Sequence, residues 1–224
     1  MSNAAHVVAI DGPAGAGKST VARRVAARLG YAFLDTGAMY RAATWRALTS
    51  GVDLNDPVAA AESTRNMRLE LNERDDGLEV LVDGQNVTEA IRSPEVTRVI
   101  YKLDENPGVR AHLVTLQRAF AAQRPTVAEG RDMGTVVFPN AKCKIFLDAS
   151  IEERTRRRAA ELRTKGVKVD MDALREEIRV RDEKAQTRAI APLHRAEDAT
   201  LVDTTHLTID QVVERVIGLE RSIP

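Results

Sequence analysis

Residues 12–20 read GPAGAGKST, directly after the apolar run VVAI and its closing Asp11, and directly before VARRVAARL. Few folds accommodate that order. Four apolar residues bounded by Asp-Gly spell a short buried strand. Val21, Val25 and Leu29 then fall on one face of a helix over about 17–29, with Gly30 as its stop. A strand, a small-residue turn and a helix in this sequence are the context of the phosphate loop G-x-x-x-x-G-K-[ST]. Gly12, Pro13, Ala14, Gly15, Ala16 and Gly17 let the chain curl until successive backbone N–H groups point at one phosphate. Lys18 is spaced to reach the β- and γ-phosphates of ATP. The Ser19 hydroxyl is placed to ligate Mg2+, and Thr20 completes the motif.

The rest of the chain repeats the strand–helix rhythm. Further strands are expected at 31–34, 126–129 (TVAE), 143–147 (CKIFL) and 200–203 (TLVD), with helices between them. Asn106-Pro107 reads as cap and first residue of a helix whose buried stripe is Val109, Leu113, Leu116 and Phe120. Thr208 and Gln211 are spaced as a capping box for the last helix. Five buried strands alternating with helices predict an α/β fold, a five-stranded parallel sheet covered on both faces. MRLELNERDDGLEVLVDGQNV breaks the rhythm, alternating apolar and polar residues around an Asp75-Asp76-Gly77 turn, which predicts a β-hairpin. Residues 63–105 therefore read as a subdomain inserted into a core of 1–62 and 106–224. An Arg-rich stretch at 154–169, broken by Gly166, reads as a second insertion, with a lid at about 152–168.

Composition narrows the partners. Of 224 residues, 33 are basic and 33 acidic, so the formal net charge is zero, without the basic excess of a nucleic-acid binder. The basic residues are 26 Arg against 7 Lys, which suits bidentate phosphate clamps and equally reflects a GC-rich genome. No run of about 18 apolar residues is present, so no membrane helix is expected. The first twelve residues lack the pattern of a secretory signal, and residues 1–5 read as a short loose arm. Cys143, the single cysteine, excludes an intrachain disulfide and reads as a small buried hydrophobe; a cytoplasmic monomer is expected.

Three clusters of candidate acceptor residues follow. DTGAMYR at 35–41 comes just after the second strand, where open α/β sheets bind ligands. Thr36 is placed to cap the next helix and Arg41 to clamp an anion, although a plain cap with a solvated arginine fits the same residues. EGRDMGTVV at 129–137 sets Arg131 and Asp132 between glycines at the end of the third strand. Glu129, Asp11 and Asp148 all end strands, and any one of them could order Mg2+. Arg181 and Arg188 are seven apart and share a face if the helix continues; Arg154, Arg157 and Arg158 share a face as well. Two such clusters beside a phosphate loop suggest a lid over phosphates, against the plain reading of solvated helix faces. The four histidines show neither metal nor triad spacing. No base is required if the acceptor is itself a phosphate monoester, whose oxygen is ionised near neutral pH.

IDGPAGAGKST, LDTGAMYR, GRDMGTVVFP, KIFLDAS and TRAIAPL, in this order from about residue 7 to 217, resemble the bacterial cytidylate kinases. The resemblance implies transfer of the ATP γ-phosphoryl group to CMP or dCMP, giving ADP and CDP or dCDP. It implies that Gly12 to Thr20 hold ATP, and that Arg41, Arg131 and Arg188 hold acceptor or transferring phosphates. Thr36 would lie near the base, Arg110 and Asp132 would read cytosine, and Arg154, Arg157 and Arg158 would belong to the lid. Tyr101 and Ala185 stand where the family often has Ser and Asp near the nucleoside and its sugar; Arg181 precedes Ala185 by four residues in the same segment. A uridylate-type or other small-molecule kinase, and a non-catalytic ATP-binding regulator, remain the rival readings.

Overall fold

The computed structural model describes residues 6–74, 77–164 and 166–223. The arm expected at 1–5, the Asp75-Asp76 turn and Lys165 of the Arg-rich stretch lie outside them. The chain divides into two compact units, Met1–Leu34 with Ala121–Pro224, and Asp35–Phe120.

The first unit is built on a five-stranded parallel sheet. Its strands are β1 (Val7–Asp11), β2 (Ala32–Asp35), β6 (Thr126–Glu129), β7 (Cys143–Asp148) and β8 (Thr200–Asp203), in the order β2-β6-β1-β7-β8. Strand β1 is buried along its whole length and sits in the middle. Val8 lies level with Val127 of β6 and with Cys143 of β7. Such burial on both faces explains why VVAI carries no polar alternation. Helix α1 (Lys18–Leu29) lays Val21 and Val25 on the sheet and ends at Gly30 in the left-handed conformation. Helix α9 (Ile209–Arg221) covers the same core with Val212 and Val216. Helices α7 (Ile151–Thr164) and α8 (Met171–Thr187) pack on each other through Ala159, Leu174 and Ile178. Burial pushes the Cys143 thiol up to about 12, so it is an inert core residue, as expected.

The second unit holds helices α2 (Thr36–Thr49), α3 (Pro57–Arg65), α4 (Pro94–Val99), α5 (Tyr101–Asp104) and α6 (Pro107–Ala121), with an antiparallel sheet β3-β4-β5. Strands β3 (Leu69–Arg74) and β4 (Gly77–Val82) form the expected hairpin, with Arg74 opposite Gly77, and β5 (Gln85–Asn86) adds a short third strand. The alternating pattern works as read: Leu78, Val80 and Val82 are buried, and their neighbours are half-buried. The Asn106 side chain caps α6 by accepting from the N–H groups of Gly108 and Val109. The buried stripe of α6 is shifted from expectation. Val109, Leu113, Gln117 and Ala121 are buried, whereas Leu116 and Phe120 are only half so. A search for apolar residues at helical spacing passes over Gln117, whose amide has no hydrogen-bond partner among the described residues.

The capping box at α9 is present: the Thr208 hydroxyl accepts from the Gln211 N–H and the Gln211 side chain accepts from the Thr208 N–H. Thr208→Ala is expected to lower stability by about 1 kcal/mol. Urea unfolding is the measurement, with the midpoint moving and the slope unchanged.

Candidate active site

The phosphate loop joins the C-terminal end of β1 to α1. Its first residue admits only glycine, because Gly12 has φ +148° and a Cβ there would lie 2.0 Å from the Leu147 carbonyl oxygen of β7. Gly17 closes the loop as the left-handed residue before α1, with φ 93°. The loop's outer side is held by arginines. Arg154 is buried and donates to the carbonyls of Ala14 and Ala149 and to the Asp182 carboxylate. Arg157 donates to the Ala16 carbonyl and to both the hydroxyl and the carbonyl of Thr204. Guanidinium groups thus hold the Ala14 and Ala16 carbonyls, while the Ala16 N–H donates to the Pro13 carbonyl within the loop.

Lys18 reaches back across the loop, its Nζ donating to the Pro13 carbonyl at 2.9 Å. Its pKa is held below the ordinary lysine value, first by desolvation and then by the positive charges of Arg131 and Arg181; Glu129 and Asp11 oppose the shift. Thus the structure brings Lys18, Glu129, Arg131 and Arg181 together around one loop. The Ser19 hydroxyl donates to the Glu129 carboxylate. That contact separates three carboxylates the sequence left equivalent. Asp148 is turned to the N–H of Ala149, and Asp11 accepts from the N–H groups of Met133 and Gly134, at 2.7 Å each. Burial pushes Asp11 up to about 6, against those two hydrogen bonds. A hydroxyl and a carboxylate at the mouth of the loop are the hard oxygen donors that Mg2+ takes, so Ser19 and Glu129 fit that ion.

Arg131 and Asp132 follow β6 as expected. Asp132 is buried at the start of a five-residue π-helical turn, Met133–Val137. Two expectations for the arginines need correction. Helix α8 ends at Thr187, so Arg188 is its C-terminal cap with ψ 143° and does not continue the face of Arg181. Arg188 is buried, its Nε donating to the Ala191 carbonyl at 2.6 Å. The face expected for Arg154, Arg157 and Arg158 splits: the first two turn to the phosphate loop, and Arg158 pairs outward with Glu161.

In the second unit, Asp35 rather than Thr36 caps α2, accepting from the Ala38 N–H at 2.8 Å; Thr36 is a buried residue of the first turn. Arg41 donates to the Thr97 hydroxyl at 2.8 Å and to the Ile91 carbonyl. Arg110, buried on α6, donates to the Asp104 carbonyl and lies over the Tyr40 ring, 5.9 Å from its centroid. Tyr101 opens α5 and is exposed. Sequence reasoning missed the Tyr40 and Asp104 supports of Arg110, which have no spacing signal because they come from other elements.

The family model for cytidylate kinases matches residues 8–222. The chain belongs to the cytidylate kinase family. A cytidylate kinase of Geobacillus kaustophilus (strain HTA426) is 49% identical over 212 residues, covering 95% of each chain. A bifunctional pantoate ligase/cytidylate kinase of Synechococcus elongatus is 49% identical over 220 residues, which is 96% of this chain and 42% of that one. A crystal structure of an uncharacterized protein from Eubacterium ventriosum ATCC 27560 shares the fold with a TM-score of 0.52 at 13% identity, covering 96% of this chain and 98% of that one. No helix among the described residues is long and apolar enough to cross a membrane.

Glu153 offers a pH test of the arginine scaffold. Its hydrogen bond with Arg156, then that with Arg157, holds its pKa down at about 2, against the usual 4.5. A depressed carboxylate pKa contributes stability above the unfolded value and loses it as pH falls through the folded one. Glu153→Gln should therefore lower stability by about 1 kcal/mol at pH 7, the upper range for a part-exposed pair. Denaturant unfolding should show that difference closing between pH 4.5 and about 2.

Proposed function

We propose that this protein transfers the γ-phosphoryl group of ATP to CMP or dCMP, giving ADP and CDP or dCDP. The observation that carries the reading is the likeness to cytidylate kinases over residues 8–222. The arrangement of Lys18, Ser19 and Glu129 supports the ATP and Mg2+ half. Loop N–H groups from Gly12 to Thr20 would hold the phosphates, and Ser19 with Glu129 would hold Mg2+, which supplies neutralisation of phosphate charge. Lys18 would place its ammonium on the transferring phosphate. Arg131, Arg181 and Arg188 would hold phosphates on the same unit. Arg154 and Arg157 would shape the loop in the lid region of about 152–168, with Arg158 at its surface.

The acceptor half would fall to Thr36, Arg41, Tyr101 and Arg110, all on the unit Asp35–Phe120 that contains residues 63–105. Residues 63–105 would be its monophosphate-binding part, inserted into the core of 1–62 and 106–224. Asp132 would accept from the cytosine N4 amino group, while Arg110 would donate to N3 or O2. Uracil would present its O4 to the same carboxylate and leave both groups without a donor. We place the enzyme in the cytoplasm as a monomer, acting on free nucleotides.

Coupled ADP release over CMP, dCMP, UMP, AMP and GMP is the test. Activity led by CMP and dCMP is expected; activity led by UMP would favour the uridylate-type reading, and none at all an ATP-binding regulator. Lys18→Ala should lower kcat at least about a hundredfold, the scale of losing one charged stabiliser. An active Lys18→Ala enzyme would sink the assignment of the loop. Asp132→Asn should erode the CMP:UMP ratio of kcat/KM, because an amide can present either a donor or an acceptor.

A further inference from the structure

Arg154, in the first turn of α7, ties helix α8 to the phosphate loop within one compact unit. Its Nε donates to the Ala149 carbonyl at 3.0 Å. Its Nη1 donates both to the Ala14 carbonyl, at 3.1 Å, and to the Asp182 carboxylate of α8. The pair is shielded from water, with side chains 8% and 14% exposed. A guanidinium is planar, and the two hydrogens of Nη1 lie in its plane. With Nε directed at Ala149 and one Nη1 hydrogen at Asp182, the plane is fixed, and the other Nη1 hydrogen meets Ala14. The peptide after Ala14 is trans, so the Gly15 N–H points opposite to that carbonyl, away from Arg154. The fit at Gly15 is close as well: its φ is +81°, and a Cβ there would lie 3.2 Å from Arg154 Cβ. Asp182 adjoins Arg181, whose charge helps to lower the pKa of Lys18. Helix α8 therefore brings one charge of each sign towards the loop.

We propose that Asp182 is a positioning residue for the phosphate loop: by fixing the Arg154 guanidinium, it holds the Ala14–Gly15 peptide with its N–H turned towards the phosphates of ATP. The inference rests on the reading of residues 12–20 as the ATP cradle. Asp182 acts through Arg154 and contributes no contact of its own to the nucleotide. The sign of its effect separates this role from simple electrostatics. A carboxylate near bound phosphates repels them, so by charge alone its removal should tighten ATP binding. Removing an anchor does the reverse: Arg154 becomes a buried cation without its counter-ion, the Ala14 carbonyl loses a fixed donor, and ATP binding weakens.

The test is steady-state kinetics of Asp182→Ala, Asp182→Asn, Arg154→Met, the double variant Arg154→Met/Asp182→Ala, and Lys18→Ala, with ATP and CMP varied in turn. Asp182→Ala is expected to raise KM for ATP about tenfold, the scale of a hydrogen bond to a charged group. Both kcat and KM for CMP should move less than about twofold, as for binding lost on the ATP side alone. Asp182→Asn keeps an acceptor for Arg154 and should raise KM for ATP only about threefold, the scale of a neutral hydrogen-bond partner. It carries the test if Asp182→Ala does not fold, because charge alone would lower KM. The double variant should be no worse than Arg154→Met, since Asp182 acts through Arg154. An unchanged or lowered KM for ATP in a folded Asp182 variant, an equal rise in KM for CMP, or additive losses in the double variant overturns the proposal and leaves the loop in its role. An active Lys18→Ala enzyme overturns the reading of the loop, and the proposal with it.

Discussion

Strand β1 is hydrogen-bonded along both edges, with Ile10 level with Glu129 of β6 and Asp11 level with Phe146 of β7. This double pairing is the constraint on which the phosphate-handling unit depends. It sets the end of β1 beside the end of β6, so a loop encoded at residues 12–20 meets the Glu129 carboxylate and feels the charge of Arg131. It also presses Gly12 against the Leu147 carbonyl, which leaves no room for a side chain at the first turn of the loop. A register slip of one residue would invert every side chain of a strand buried on both faces. The sheet therefore fixes the chemistry to within the tolerance of its own hydrogen bonds.

Arginine does two different jobs around that loop. Arg131 and Arg181 act through charge, since both depress the pKa of Lys18. Arg154 and Arg157 act through geometry, holding carbonyl oxygens on the outside of the loop. A planar group with five donors suits the second task better than an ammonium would. Elsewhere the same residue is spent on exposed pairs such as Arg24–Asp210 and Arg179–Glu176, whose worth is small. The arginine count alone could not distinguish these uses; the partners of each guanidinium do.

What could be read from the sequence was local. The strand–loop–helix at 7–29, the hairpin at 69–82, the Asn106 cap and the capping box at 208–211 each follow from a few adjacent residues, and each is present. The misses have a common cause, which is competition between neighbours or between distant elements. Asp35 takes the cap of α2 because its extended backbone precedes the first turn, which displaces Thr36 by one residue. Arg188 leaves the helical face because the chain turns out of α8 towards Ala191, a non-glycine residue at φ 49°. That the Ser19 hydroxyl meets Glu129, rather than Asp11 or Asp148, is a contact made across 110 residues. No periodicity encodes such a pairing.

The placement of β1 has a consequence for how the molecule comes into being. The strand that ends centrally, with partners on both sides, precedes β6 and β7 by more than a hundred residues. Until these pair with it, VVAID is an apolar segment with two open edges, the kind of surface that recruits other chains. Closing loops of that length before any reward arrives makes assembly of the sheet slow relative to its helices. The nascent chain thus carries its nucleotide loop long before it carries the strand that completes it, so shielding by a chaperone in that interval would bear directly on yield.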